Sequence, residues 1–442
     1  MESPSLRALA EDVRAGRPGA VREFWERTAA AGTPLVEPDP TDPAYRLVTF
    51  LWRQDPDAPA DDVLALLHTV TDKDRHAHDL TPHLMSRLPG TDVWALTHRL
   101  RADHRASYQF HVARGPREET LRTDREAWLR VLDAAVPDPL NRAPVLAARD
   151  GRHPSSVMEL PDAPAQPWWR PTAAAPRAAG RTVEREVSGR RVHVHLPAGH
   201  RLLAADGDGD GAPSVGHVGP AGDAGSVVAA DGPYAVAVLL DGEMWGPVLR
   251  FGDTLDALMD DGCLRPTVAL LVDTMGRERR MADLSCSEAF VDWLADELLP
   301  WAGAEFGAST DPAHTVVAGQ SAGGLTAAFA AFRRPERFGN ALSQSGSFWW
   351  PDGTEFDTGS EWLTRQYART PRRPVRFHLE VGLQEWMLLP QNRHLRDVLQ
   401  ARGYEVNYRE FNGGHDYACW RGGLADGLAA LLPPAGTPTA AG

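Results

Sequence analysis

The run Thr315-Val-Val-Ala-Gly-Gln-Ser-Ala-Gly-Gly324 constrains this chain more than any other stretch. A β-branched segment enters Gly319-Gln320-Ser321-Ala322-Gly323, and an Ala/Leu/Phe run suited to a helix leaves it at once. This is the nucleophile-elbow pattern of strand, sharp turn and helix, with a serine at the apex. Gly319 and Gly323 are expected because the turn brings the strand and helix backbones together, where a side chain would collide. The turn lifts Ser321 Oγ out of the sheet toward a helix N-terminus, whose amide dipoles favour developing negative charge.

At 442 residues the chain exceeds one ordinary core, which predicts two domains. No apolar run reaches 18 residues, so no membrane-spanning segment is expected. The start, Met-Glu-Ser-Pro-Ser-Leu-Arg, has no basic stretch followed by an apolar one, which reads as no secretory signal. Cys263, Cys286 and Cys419 are odd in number, widely spaced and match no zinc pattern, which fits a reduced, cytoplasmic compartment. The net charge, 46 − 60 = −14, argues against nucleic acid and anionic membrane as partners. An anionic small molecule would then need local cations at its site. Nothing in the sequence sets the oligomeric state.

Residues 1–30 carry helical spacing through Leu6, Val13, Val21 and Phe24. Alternating strand texture follows at 45–52, 92–98 and 106–112, and a helix falls within 113–137. Together, residues 1–150 predict a small β-sandwich domain with a leading helix. Residues 151–181 read as a Pro/Ala-rich linker, pinned to a domain face by Trp168 and Trp169. A hairpin at 182–187 and 191–196 opens a second pattern. Nearly continuous apolar runs at 234–240 and 267–273 mark buried parallel strands, and a helix is expected over 289–304. The alternation predicts a doubly wound α/β sheet over 182–434, and the elbow within it fits an α/β-hydrolase. Residues 205–232, rich in Gly, Asp and Ala, read as a disordered insertion, and 435–442 as a disordered tail. Asp206-Gly-Asp-Gly-Asp210-Gly211 imitates the front of a calcium loop, but His217 stands where a bidentate Glu is needed. No metal site is predicted.

An elbow serine needs a base and an acid, which follow it along such chains at later strand ends. His415, in Phe411-Asn-Gly-Gly-His-Asp-Tyr417 after a strand-like run, is the candidate base, and Gly413 and Gly414 are read as freeing its loop to fold back. Glu385, three residues past the end of the preceding strand Val375–Gly382, is the candidate acid. Glu380 falls inside that strand, Asp397 on a helix, and Asp416 too close to His415 to orient it. The oxyanion hole is expected from the amide of Ala322 and that of Gly242 or Glu243, in the loop after the 234–240 strand. Such a set performs covalent acyl transfer. Two features bear on substrate. Arg277, Arg279 and Arg280 follow a strand end and would give an acidic protein a basic rim; Phe348, Trp349 and Trp350 leave another strand as a wall for flat rings.

These residues resemble the enterochelin esterase family, cytoplasmic hydrolases of ferric catecholate siderophores related to esterase D. The resemblance lies in Leu239-Leu-Asp-Gly-Glu-Met-Trp245, Val316-Val-Ala-Gly-Gln-Ser-Ala-Gly-Gly-Leu325, Arg334-Pro-Glu-Arg-Phe-Gly339, Leu342-Ser-Gln-Ser-Gly-Ser-Phe-Trp-Trp350 and Gly413-Gly-His-Asp-Tyr-Ala-Cys-Trp-Arg-Gly-Gly423. Thr49-Phe-Leu-Trp-Arg53, Gly90-Thr-Asp-Val-Trp94, Leu100-Arg-Ala-Asp103 and Asp138-Pro-Leu-Asn141 extend it into the amino-terminal half. It implies an esterase acting on the trilactone of a catecholate siderophore such as enterobactin. Ser321, His415 and Glu385 would be catalytic, Arg280 would meet the anionic substrate, and Trp245 would join Trp349 and Trp350 at the site. Iron would arrive with the substrate, so no protein-bound cofactor is implied. The insertion at 205–232 and the doubled Arg279-Arg280 depart from the family pattern. The rival readings are a general carboxylesterase or acyltransferase with the same triad, and a siderophore- or glycan-binding protein on a retired hydrolase scaffold.

Overall fold

Gly16-Arg17-Pro18-Gly19 breaks the amino-terminal helical pattern in two, because Gly16 and Gly19 adopt φ +68° and +79°. Helices α1 (Pro4–Arg14) and α2 (Ala20–Ala31) result, where the sequence suggested one. Ser3 caps α1, its Oγ accepting from the Leu6 amide. The computed structural model describes residues 3–115, 121, 123–143, 146, 152–169, 179–200, 234–351 and 361–434. The expected insertion at 205–232, its calcium-like run and the tail at 435–442 lie outside the described residues.

The chain divides into two units, Met1–Ala165 with Gly382–Trp386 and Phe411–Cys419, and Gln166–Val381 with Met387–Glu410 and Trp420–Gly442. The first contains β1 (Leu35–Pro38), β2 (Tyr45–Arg53), β3 (Asp62–Leu67), α3 (Val70–His76), β4 (Ser86–Arg87), β5 (Val93–Arg101), β6 (Arg105–Ala113), α4 (Arg125–Ala134) and β7 (Ser156–Glu159). They form antiparallel sheets ordered β1-β2-β5-β4 and β3-β6-β7. Val48, Phe50, Val63, Ala65, Tyr108, Phe110 and Met158 meet in a core between them. Leu51 and Val93 turn the other way and pack under α1 and α2, which is why β2 is buried on both faces. Strand β7 corrects the linker reading: Val157 and Met158 are each 1% exposed, so the sandwich extends into the stretch expected to be linker. A four-residue strand amid prolines carries too little periodicity to read from sequence.

In the second unit, β8 (Arg181–Val187) and β9 (Arg190–Leu196) form the expected hairpin. Then come β10 (Ala235–Leu240), α5 (Phe251–Asp260), β11 (Thr267–Val272), α6 (Arg277–Asp283), α7 (Glu288–Trp293), α8 (Leu299–Phe306), β12 (Thr315–Gln320), α9 (Ala322–Arg333), β13 (Asn340–Gln344), α10 (Trp362–Arg369), β14 (Arg376–Gly382), α11 (Leu389–Ala401), β15 (Glu405–Phe411) and α12 (Tyr417–Leu431). A wider helical turn, Leu294–Leu298, joins α7 to α8. The eight strands are ordered β15-β14-β13-β12-β10-β11-β9-β8, parallel from β11 through β10, β12 and β13 to β14. Val236, Val238, Val268, Leu270 and Val317 pack with Phe290, Leu294, Leu298 and Leu325 into its core. The chain runs from β10 to β11 on one side, then returns to β12 on the other. That reversal makes the carboxyl ends of β10 and β12 the topological switch point, the usual ligand position in such sheets. The chain before β8 is pinned as expected: Trp168 Nε1 donates to Asp261, and the Arg421 guanidinium lies 4.6 Å from the Trp169 ring centre.

Candidate active site

Ser321 joins β12 to α9 with φ +59° and ψ −122°, a conformation that non-glycine residues rarely hold. Neighbouring strands enforce it. The Ser321 amide donates to the Gln344 carbonyl (3.0 Å), and its own carbonyl accepts from Ser347 N (3.0 Å) and Leu325 N (3.1 Å). The Oγ is half-buried and lies 3.4 Å from Ser347 Oγ. A Cβ on Gly319 would sit 2.4 Å from the Gly323 carbonyl carbon, so this glycine is needed as expected. Gly323 is different, because a Cβ there meets only ordinary contacts at 3.5 Å. The second tight position is Gly324, whose Cβ would come within 2.6 Å of Ser343 Oγ and 3.0 Å of Gly346 Cα.

The expected oxyanion residues stand at the matching strand end. Gly242 and Glu243 begin a helical turn after β10, and Ala322 begins α9, so their amides precede any intrahelical acceptor. Gly242 is required by close approach, since a Cβ would lie 2.2 Å from the Leu271 carbonyl carbon. The Glu243 carboxylate accepts from Thr274 N (3.1 Å) and Thr274 Oγ1 (2.6 Å), tying this turn to the segment after β11. A Cβ on Gly323 would lie 3.5 Å from Asp241 Oδ2 and Leu240 Cβ, so the two strand ends adjoin.

Beneath Ser321 runs a buried polar chain invisible in the sequence. Trp245 Nε1 donates to Gln320 Oε1 (2.9 Å), Gln320 Nε2 to Gln344 Oε1 (2.6 Å), and Gln344 Nε2 to Glu380 Oε1 (2.5 Å) and the Trp420 carbonyl (2.8 Å). Gln320, Gln344 and Glu380 are register partners across β12, β13 and β14. An indole N–H can only donate, so Trp245 dictates the orientation of both amides. This corrects the expectation for Trp245, which is fully buried and supports the elbow from below rather than lining a rim.

The acid and base candidates occur together in the first unit. Glu385 is 2% exposed, and its Oε2 accepts from His415 Nδ1 at 2.7 Å while its Oε1 accepts from the Gly382 amide at 2.9 Å. With Nδ1–H held by the carboxylate, the lone pair of the neutral ring resides on Nε2. Asp416 is occupied otherwise, accepting from the amides of Ser107 and Ala418. Gly413 and Gly414 lack positive φ; they are glycines for space rather than freedom. A Cβ on Gly413 would meet Cys419 Sγ at 2.4 Å, and one on Gly414 would meet Thr69 Oγ1 at 2.1 Å.

The arginines differ among themselves. Arg280 donates from Nε and Nη2 to both oxygens of Asp241, so its guanidinium is held against the strand end. Arg279 is exposed and reaches Asp283 at 3.1 Å, and Arg277 is exposed at the start of α6. Trp349 and Trp350 are half-buried at the exit from β13; Trp350 packs edge-on against Trp362, and Phe348 is fully buried.

Comparisons with known proteins agree along nearly the whole length. Residues 47–169 match the family described as enterochelin esterase, N-terminal, and residues 226–431 match the putative esterase family. The iron(III) enterobactin esterase of Dickeya dadantii is 34% identical over 92% of both chains. The iron(III) salmochelin esterase of an Escherichia coli strain is 31% identical over 97% of both. The crystal structure of the ferric enterobactin esterase from Salmonella typhimurium superposes with a TM-score of 0.73 at 32% identity, covering 93% of this chain and 98% of that one. The enterobactin esterase from Shigella flexneri, crystallised in the presence of enterobactin, gives 0.71 at 31% identity, covering 92% and 97%. An elbow serine and a carboxylate-held histidine on this scaffold, with relatedness of this extent, show that the chain belongs to the iron(III) enterobactin esterase family of carboxylic ester hydrolases.

Proposed function

We propose that the protein hydrolyses the ester bonds of a ferric tri-catecholate siderophore trilactone of the enterobactin type, in the cytoplasm. The observation that carries the mechanism is the 2.7 Å bond from His415 Nδ1 to the buried Glu385 carboxylate, in a chain that also bears the strained Ser321. The substrate class rests on the activity named for relatives that match over nine-tenths of the chain. In this reading His415 Nε2 takes the Ser321 proton as Oγ attacks the ester carbonyl carbon. The amides of Ala322 and of Gly242 or Glu243 hold the oxyanion. His415 then protonates the departing alkoxide, giving the ring-opened ester and an acyl-serine, and next draws a proton from the water that hydrolyses it. Glu385 fixes the tautomer and stabilises the imidazolium. Arg277 and Arg279 would meet the negative charge of the catecholates, and Trp349 and Trp350 would flank a catechol ring. The iron is cargo on the substrate.

A general carboxylesterase is the second reading, favoured by the pairing of Arg280 with Asp241, which occupies the cation expected to meet an anion. One experiment separates them. The protein is incubated with ferric and with iron-free enterobactin, and the products are followed by mass. Linear trimer, dimer and monomer are expected in sequence, and none from Ser321→Ala. Turnover of simple aryl esters alone would select the second reading.

A further inference from the structure

We infer that Thr69 and His68, from the amino-terminal sandwich sequence, are positioning residues for His415. The inference rests on His415 being the base of the proposed triad. Strand β3 ends at Leu67 and α3 begins at Val70, so Thr69 occupies the position that caps α3. A threonine there ordinarily accepts a hydrogen bond from an amide of its own helix. Thr69 makes no such bond. Its Oγ1 accepts instead from the His415 amide, 346 residues away, at 2.8 Å. Thr69 does so with a backbone at φ +68° and ψ −42°, a costly conformation for a β-branched residue, in a position 4% exposed.

The neighbouring residue completes the grip. His68 Nε2 lies 2.7 Å from the His415 carbonyl oxygen, which can only accept, so that nitrogen carries the proton. The peptide groups on both sides of His415 Cα are therefore anchored by consecutive residues, while Glu385 anchors Nδ1. Gly414 belongs to the same device, because Thr69 fills the space a Cβ would need. His68 is itself paired through its amide to the Ser107 carbonyl of β6, so the anchor is rooted in the sheet. A helix cap given up, a strained backbone and a glycine matched to it converge on one imidazole. Catalytic efficiency falls steeply when a base is misplaced by an ångström, so such anchoring acts on the chemical step.

The test compares Thr69→Val, which keeps the shape without the acceptor, with Thr69→Ser, which keeps the acceptor. Steady-state hydrolysis of enterobactin is measured together with the pH dependence of Ser321 labelling by a fluorophosphonate. Thr69→Val is expected to lower kcat and the labelling rate ten- to a hundredfold, with KM within twofold and a shifted pH profile. Thr69→Ser is expected to restore both rates to within threefold. Should Thr69→Val not fold, His68→Ala, altered at an exposed side chain, carries the same expectation at about fivefold. Wild-type kcat in Thr69→Val or in His68→Ala, or equal losses in Val and Ser, overturns the inference while an inactive His415→Ala leaves the triad standing. Turnover surviving in His415→Ala overturns both.

Discussion

Arg280 grips Asp241 at two points, Nε to Oδ1 at 2.5 Å and Nη2 to Oδ2 at 2.8 Å, and Asp241 has no exposed surface. An arginine read from sequence as a receptor for substrate charge thus also neutralises a buried carboxylate beside the elbow. Removing it leaves that carboxylate uncompensated. Arg280→Ala is expected to lose roughly 3 kcal/mol of stability, with the double variant Arg280→Met/Asp241→Asn recovering most of it. Urea unfolding of the set checks this, and an Arg280→Ala protein as stable as the parent would refute it.

Glu385 holds the imidazole by charge and by direction, so its amide isostere keeps the shape and loses the tautomer control. Glu385→Gln is expected to lower kcat roughly a thousandfold with KM little changed. Steady-state kinetics on a catecholate ester suffice. A loss below tenfold would point to another acid.

The three glycines of the elbow are not equivalent. Gly319→Ala drives a methyl into the Gly323 backbone, and Gly324→Ala drives one against Gly346 Cα. Both are expected to be poorly folded or inactive, whereas Gly323→Ala meets only van der Waals contacts and is expected to fold with a near-parental melting temperature. Expression yield and thermal melts of the three alanine variants decide it.

Acid should attack the sandwich through two histidines, His104, which is buried, and His98, which is partly buried. Burial lowers His98, with help from His83, and likewise His104, each to about 4. Both are neutral in folded and unfolded chains above the ordinary value of about 6.5, so their full contribution holds there. As pH falls from about 6.5 to about 4 the unfolded chain binds protons that the folded chain refuses, and stability drains away. Each histidine accounts for about 3 kcal/mol over that window. Melting temperatures at pH 7, 6 and 5 are expected to fall, and His98→Phe is expected to flatten the slope. A parental slope in that variant would remove His98 from the account.

The elbow is legible in the sequence because its parts are contiguous: a β-branched run, a serine flanked by glycines that permit a tight turn, and a helix former follow one another directly. The Glu385–His415 pair is legible because each follows an identifiable strand. What stays hidden depends on neighbours remote in sequence. Trp245 reads as a substrate-site aromatic until β12 supplies Gln320 to accept from its indole and β13 supplies Gln344 to accept from Gln320 in turn. Gly324 reads as helix until Gly346 approaches it, and Gly413 reads as a hinge until Cys419 fills the space beside it. Strand β7 is hidden for a different reason: four residues between prolines offer no period to detect, and only pairing with β6 extends them. Thr69 is the hardest case, because before α3 it looks like an ordinary cap.

The loops carrying Glu385 and His415 are grouped with residues 1–165, and the bond from Cys419 Sγ to the Arg105 carbonyl spans 314 positions. Contacts so distant in the chain carry a large loop-closure cost and are slow to form. During synthesis the sandwich segment leaves the ribosome first and waits for two loops that appear near the end. The base therefore reaches its seat only after residue 415 itself has been made, and a chain ending before it can hold a finished nucleophile strand while remaining chemically silent.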